Sequence, residues 1–283
     1  MKFTKLHGAG NDYVYVDARS SEKNWSNIAI EMSDRHKGIG SDGLILAMES
    51  DKADLRMRMF NADGSEGEMC GNGIRCLVRF ALDQKILDAG ITMFRVETLA
   101  GILEVTPIWH GQEMVAARVG MGEPILSPKD IPIDVSNLGQ NLGHVLDNPM
   151  SVDGYEFNVS YVSMGNPHAI AFVEDPVDDV VLTNIGPLME NHSMFPNRIN
   201  FEIVNVIGKD RLKVRVWERG SGITMACGTG ACAVAVAAKL KGLIGNRSTI
   251  ELPGGNLTVE WEGKGSVILE GPVEKVFEGT WSI

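Results

Sequence analysis

The chain writes the same turn twice. From Leu55 an alternating segment, with Leu55, Met57 and Met59 on one face and Arg56 and Arg58 on the other, leads to Cys70-Gly-Asn-Gly. From Leu212 a second alternating segment leads to Cys227-Gly-Thr-Gly. Leu55, Arg58, Cys70, Gly71 and Gly73 each return 157 residues later as Leu212, Arg215, Cys227, Gly228 and Gly230, and Trp217 stands for Phe60. No gap is needed between 55–73 and 212–230, which marks an internal duplication. Whatever one half builds, the other half builds again, so the chain reads as two like domains.

Alternation with a period of two predicts strands at 55–60 and 212–217. After Cys70 the apolar residues Ile74, Leu77, Val78, Ala81 and Leu82 recur at helical spacing. Each cysteine therefore sits where a loop enters a helix, followed by small residues that leave backbone N–H groups uncovered. Such a position favours an anion, either a thiolate or a bound carboxylate. The second helix, Ala231-Cys-Ala-Val-Ala-Val-Ala-Ala-Lys-Leu, is apolar nearly all round and is expected to be buried, with Gly242 as its C-cap.

Other segments match in the same order. Asn11 opens an alternating strand, and Asn166 does so in the second half, with the register slipped by two residues. Hairpins are expected at 94–105 and 250–261, where Glu97 matches Glu251. Residues 24–34 read as a short amphipathic helix. Gly38-Ile-Gly-Ser-Asp-Gly reads as a tight loop, because it has neither a P-loop sequence nor a strand–GxGxxG–helix setting. Residues 123–150, with prolines at 124, 128, 132 and 149, read as the connection between domains. The fold class expected is α/β (α+β), with a barrel-like sheet wrapped around a buried helix, twice.

Composition narrows the setting. The formal net charge is −11, which argues against a nucleic-acid partner. No apolar run is long enough to span a membrane, and the first residues lack the apolar core of a signal peptide, so a cytoplasmic enzyme is expected. The four cysteines, 70, 76, 227 and 232, form no C-x-x-C pair and have no histidines at zinc spacing. No metal site is expected, and the thiols are expected to be free.

Two cysteine turns from like halves suit a reaction with two equivalent faces. Removing a proton from one face of a carbon and returning it on the other needs two bases in opposite protonation states. A thiolate and a thiol serve if helix N-termini lower the thiol pKa. The same N–H groups can hold a substrate carboxylate and stabilise the charge that develops on it. Cys76 and Cys232, inside their helices, read as small core residues. A redox dithiol lacks C-x-x-C. A cysteine hydrolase with His168 as base would leave the second cysteine turn without a role. Glu218 and Arg219, at the exit of a strand and entering the second turn, fit an ammonium and a carboxylate respectively.

The residues then carry a family likeness. The chain resembles the diaminopimelate epimerase family over nearly its whole length, through His7-Gly-Ala-Gly-Asn-Asp, Phe60-Asn-Ala-Asp-Gly-Ser, Cys70-Gly-Asn-Gly-Ile-Arg-Cys, Gly165-Asn-Pro-His, Arg198-Ile-Asn, Trp217-Glu-Arg-Gly and Ala226-Cys-Gly-Thr-Gly-Ala. The resemblance implies interconversion of LL- and meso-diaminopimelate without pyridoxal phosphate or metal, with Cys70 and Cys227 as opposed acid–base groups. It implies supporting catalytic roles for His168 and Glu218. It implies substrate binding by Asn11, Asn61, Gly71, Asn72, Asn166, Asn200, Glu218, Arg219, Gly228 and Thr229. The implied fold is two pseudo-symmetric domains, each a mostly antiparallel barrel-like sheet around a central helix. Residues 1–122 with the returning segment 271–283 would form one domain and 123–270 the other, and the implied assembly is a homodimer. The sequence departs from the family where it has Gly43 in place of a substrate-contacting Gln, Ile223 in place of Glu, and Phe277 in place of a dimer-associated Tyr. A proline-type racemase is the first alternative, and an isomerase-like or binding protein of the same fold without two-thiol chemistry is the second.

Overall fold

A computed structural model describes residues 1–134 and 144–282. The chain forms two compact units, 1–120 with 270–283, and 121–269.

The first unit runs β1 (Lys2–Gly8), β2 (Asn11–Asp17), α1 (Trp25–Ser33), β3 (Gly43–Met48), β4 (Leu55–Asn61), β5 (Glu66–Gly67), α2 (Gly71–Asp83), β6 (Phe94–Thr98), β7 (Gly101–His110) and β8 (Glu113–Gly120). The second unit runs β9 (Asn148–Val152), β10 (Tyr155–Ser163), β11 (Pro167–Phe172), α3 (Leu182–Glu190), β12 (Asn200–Gly208), β13 (Arg211–Glu218), β14 (Gly222–Ile223), α4 (Gly228–Leu240), β15 (Arg247–Leu252) and β16 (Gly255–Glu260). β17 (Ile268–Pro272) spans the boundary, and β18 (Glu274–Thr280) pairs with β1 in the first unit.

The pairing repeats step for step. In the first unit β1–β2 is antiparallel, β2–β3 parallel, β3–β4 antiparallel, β4–β6 parallel and β6–β7 antiparallel. In the second unit β10–β11, β11–β12, β12–β13, β13–β15 and β15–β16 follow the same alternation. The parallel steps exist because helices carry the chain across between strands, α1 and α2 in the first unit and α3 and α4 in the second. Alternation along the strands then gives each sheet two apolar faces. Val14, Val16, Leu44 and Leu46 pack with Trp25, Ile28 and Met32 of α1, while Tyr15 of the opposite face reaches the Gly73 carbonyl of α2 with its hydroxyl at 3.2 Å. In the second unit Leu182, Ile185 and Met189 of α3 join the equivalent cluster.

Both central helices are buried, as the repeated architecture predicts. α2 is buried from Gly71 to Ala81 although it carries Arg75 and Arg79. Arg75 is accommodated because its guanidinium donates to the Gly71 carbonyl at 2.9 Å and to Asn72 Oδ1 at 2.8 Å. Arg79 pairs with Asp83 and Glu113 and also donates to the Met114 carbonyl. Buried cations are tolerated only with such partners. The two helices end alike. Lys85 N–H bonds to Leu82 O and Ile86 N–H to Ala81 O, as Gly242 N–H bonds to Lys239 O and Leu243 N–H to Ala238 O. These are Schellman ends. Gly242 thus stands one residue beyond the cap, with φ +72°, and Lys85 takes the same left-handed place with φ +57°.

The proline-rich segment is more than a connection. Ile131 and Val145 lie in the core of the second unit, Leu126 and Ile133 pack on it, and Ile125 bridges to Ser163. Residues 135–143 of that segment, and Ile283 of the returning one, lie outside the described residues. Residues 38–43 form a tight loop as expected, with Ile39 and Gly40 N–H groups both donating to the Met32 carbonyl. Among the described residues no helix is long and apolar enough to cross a membrane.

Candidate active site

Each cysteine caps the helix that follows it. Cys70 is the N-cap of α2 with φ −133° and ψ 119°, and its sulfur accepts the Gly73 N–H at 3.3 Å. Cys227 is the N-cap of α4 with φ −116° and ψ 115°, and its sulfur accepts the Gly230 N–H at 3.4 Å. A sulfur in this position meets one of the helix's unpaired amides and the positive end of its dipole. Gly71, Asn72 and Gly73 follow the first cysteine, and Gly228, Thr229 and Gly230 the second.

The two sulfurs have different neighbours. Cys70 is partly exposed and donates to Asn11 Oδ1 at 3.3 Å, and Asn72 Nδ2 reaches the same oxygen at 3.4 Å. Asn11 Nδ2 in turn donates to Asp42 Oδ2 at 2.7 Å. Arg35 joins Asp42 to Asp12, at 2.9 Å and 2.7 Å. Burial works against ionising both carboxylates. Hydrogen bonds from Arg35 and Lys5 hold Asp12 below its usual range, while burial, and then Asp12, push Asp42 above it. Tyr13 is buried, and its hydroxyl hydrogen-bonds to Cys70 and to Asn11. Asn61 is bonded to Ser65, through Nδ2 to the hydroxyl at 3.0 Å.

Cys227 is buried and lies 3.5 Å from Thr229 Oγ1. Thr229 Oγ1 accepts from Asn166 Nδ2 at 3.2 Å, and Asn166 Oδ1 lies 3.1 Å from His168 Nε2. His168 Nδ1 meets Glu202 Oε1 at 2.7 Å, with both side chains fully buried. Glu218 hydrogen-bonds to Cys227 and takes the Thr224 hydroxyl. Burial pushes the Cys227 thiol well above the ordinary thiol range, and the carboxylates of Glu218 and Glu202 push it further. Burial also raises the Glu218 carboxyl, against the pull of Thr224 and Cys227.

The loop that carries Glu218 and Arg219 is held from below. Glu190 Oε1 accepts the Gly220 N–H at 2.8 Å, and Oε2 accepts Trp217 Nε1–H at 2.7 Å. Asn200 Oδ1 accepts the Arg219 N–H at 2.9 Å, and its Nδ2 donates to the Pro167 carbonyl at 2.8 Å. The Arg219 guanidinium donates to the Asn197 carbonyl at 3.1 Å. In the first unit the structure thus gathers Asn11, Gly71 and Asn72 around Cys70. In the second it gathers Asn166, His168, Glu218, Gly228 and Thr229 around Cys227, with Asn200 and Arg219 joined to each other.

Sequence reasoning did not find Tyr13, Asp42, Glu190 or Glu202. Nor did it show why position 43 is glycine. A Cβ there would lie 2.1 Å from the Phe60 carbonyl oxygen and 3.0 Å from the Tyr13 ring, so no side chain fits while β4 and Tyr13 stay in place. Ile223 pairs with Trp217 and is exposed. Phe277 packs edge-on to Phe3, with centroids 5.9 Å apart. Among the described residues no three metal-ligating side chains cluster.

Two duplicated units, each closing its sheet on a central helix, define a class of fold that solved structures share. The chain matches a Bacillus anthracis phenazine biosynthesis protein of the PhzF family at TM-score 0.70 and 18% identity, covering 100% of this chain and 99% of that one. It matches a probable proline racemase from Agrobacterium radiobacter at TM-score 0.69 and 12% identity, covering 100% and 93%. At such identities the likeness concerns the fold alone. The family model described as diaminopimelate epimerase matches residues 3–127 and 160–276. A diaminopimelate epimerase of Acetivibrio thermocellus is 51% identical over 283 residues, 99% of this chain and 98% of its own length. The chain belongs to the diaminopimelate epimerase family.

Proposed function

We propose that the chain interconverts LL- and meso-diaminopimelate by moving the α-proton between two thiols, as an isomerase of lysine and peptidoglycan precursor synthesis. The observation that supports this most is the repeated cap: Cys70 and Cys227 each accept the N–H of the third residue after them, at the start of a helix whose first residues are small. Inversion needs an acid–base group for each face of the carbon. A thiolate removes the α-proton, and the bond's electron pair passes toward the substrate carboxylate, where backbone N–H groups stabilise it. The other thiol then returns a proton on the opposite face. Each turnover exchanges the protonation states of the two cysteines, and the reaction draws on side chains alone.

Burial and the carboxylates of Glu218 and Glu202 favour the protonated form of Cys227. Asn11, Asn61, Gly71, Asn72, Asn166, Asn200, Arg219, Gly228 and Thr229 read the two amino-acid ends of the substrate, by side chain or backbone N–H. Glu218 binds the ammonium beside Cys227, and His168 supports the proton transfer. A homodimer in the cytoplasm, with Phe277 in its contact surface, completes the reading.

The test is proton exchange. The reduced protein, with LL-diaminopimelate in D2O and no added cofactor, is expected to place deuterium on the α-carbon with inversion, followed by NMR. Cys70→Ala and Cys227→Ala are each expected to abolish epimerisation while remaining folded. Full activity in either variant, or exchange of proline in place of diaminopimelate, would refute the proposal.

A further inference from the structure

The register of the two sheets shows where the halves differ. In the first unit Tyr13 pairs with Gly43, and Gly43 with Asn61. In the second His168 pairs with Asn200, and Asn200 is followed by Phe201 opposite Trp217. Gly43 and Asn200 are therefore equivalent, as are Tyr13 and His168, and Glu202 is the equivalent of Ile45. The helices agree. A Cβ on Gly73 would meet Ile45 Cδ1 at 2.5 Å, and a Cβ on Gly230 would meet Glu202 Oε1 at 2.7 Å. The same place under the third residue of the helix is filled by a methyl in one half and by a carboxylate in the other.

An apolar pair, Tyr13 with Ile45, is thus enough to build this part of the fold. A buried ion pair is weak evidence for stability, because desolvation offsets the attraction. His168 and Glu202 are both 0% exposed, and Glu202 Oε2 has no hydrogen-bond partner among the described residues. That arrangement is a poor choice for packing alone. It is well suited to orienting an imidazole. A carboxylate only accepts hydrogen bonds, so Nδ1 carries a proton at the 2.7 Å contact and the ring cannot turn. The ring's other nitrogen is then held on Asn166, whose amide continues to Thr229 beside the Cys227 sulfur.

We propose that Glu202 is the positioning residue of the second half-site: it holds His168 by its Nδ1–H, so that Nε2 is aimed at the Asn166 amide oxygen on the side of Cys227. The inference rests on the epimerase reading for its kinetic consequence. Its structural consequence, a proton on Nδ1, stands without that reading.

Two measurements test it. In wild-type protein with labelled histidine, NMR is expected to show His168 Nδ1 protonated, with a downfield N–H signal that Glu202→Gln shifts or removes. A bare Nδ1 in the wild type overturns the proposal, whether or not diaminopimelate turns over. In the exchange assay, Glu202→Gln is expected to lower kcat by about 10- to 100-fold, the scale on which groups orienting a functional histidine act, with KM changed less than about twofold. Adding Glu202→Gln to His168→Gln is expected to cost nothing further, since residues acting as a unit are not additive. If Glu202→Gln does not fold, the double change His168→Tyr with Glu202→Ile, which copies the first half, is expected to fold and remain inactive. Wild-type turnover with an unaffected Glu202→Gln overturns this inference alone, whereas an inactive wild type overturns the epimerase reading.

Discussion

Replacing Glu218 with Gln tests the charge balance around Cys227. The carboxylate of Glu218 hydrogen-bonds to the thiol, and after burial it is the largest influence raising the thiol pKa. Glu202 and burial remain in Glu218→Gln, so the thiol pKa is expected to fall part of the way back toward the ordinary thiol range. The sign comes from the charge: a neutral neighbour no longer penalises the thiolate. Below the pH at which Glu218 ionises, variant and wild type should coincide. Above it, the thiolate fraction of the variant should exceed that of wild type. The Cβ chemical shift of labelled cysteine, titrated with Cys70, Cys76 and Cys232 replaced by Ala, reads this at Cys227. Identical titrations in variant and wild type would refute the reasoning and leave burial and Glu202 as the causes.

Two further predictions concern the scaffold. Lys85 holds a left-handed conformation at the end of α2, the place Gly242 holds at the end of α4; relieving the crowding of its Cβ outweighs the added freedom of the unfolded chain, so Lys85→Gly should stabilise the protein by about 0.5–1 kcal/mol. Gly242→Lys should destabilise it by about 1 kcal/mol, and urea midpoints compare the pair. Burial pushes the Cys76 thiol from 9.0 up to about 12, against the pull of Arg75. The unfolded chain therefore loses this proton from about pH 9 while the native state keeps it to about pH 12, so stability is intact below that window and falls across it. Cys76→Ala should flatten the fall in urea unfolding measured at successive pH values, and an unchanged slope would assign it elsewhere.

The repeated turn was legible because its information is local: strand alternation, small residues and a cysteine at a helix start lie within nineteen positions, 55–73. The buried state of α4 was legible from its alanines. That of α2 was legible only through the repeat, because Arg75 and Arg79 look like surface residues until their partners are known. Arg79 is satisfied by Glu113 and the Met114 carbonyl, which only the packing of β8 brings near. Glu202 escaped for the same reason. It reaches His168 across a parallel strand pair, 34 residues away, and a lone histidine gives no hint of its partner. The signal available was the repeat itself, which places a glutamate against an isoleucine, Ile45, at a buried strand position. Charges that break an apolar match between two copies of one fold are the residues to examine first.

That rule extends to the whole second half-site. Asn61 corresponds to Glu218, Tyr13 to His168 and Ile45 to Glu202, so each of these neutral side chains of the first half has an ionisable counterpart in the second. The first cysteine is left with amides and a phenol, from Asn11, Asn72 and Tyr13, and is partly exposed. The second is buried and has two carboxylates near it. The capping geometry, by contrast, is the same in both to within 0.1 Å in the amide–sulfur distance, 3.3 Å against 3.4 Å. Duplication alone would supply two equal thiols, and two equal thiols have no preferred direction of proton flow. Retaining the cap while changing the charges around one copy keeps the amide–sulfur contact of both helices, yet places the second sulfur alone beside buried carboxylates that penalise its thiolate.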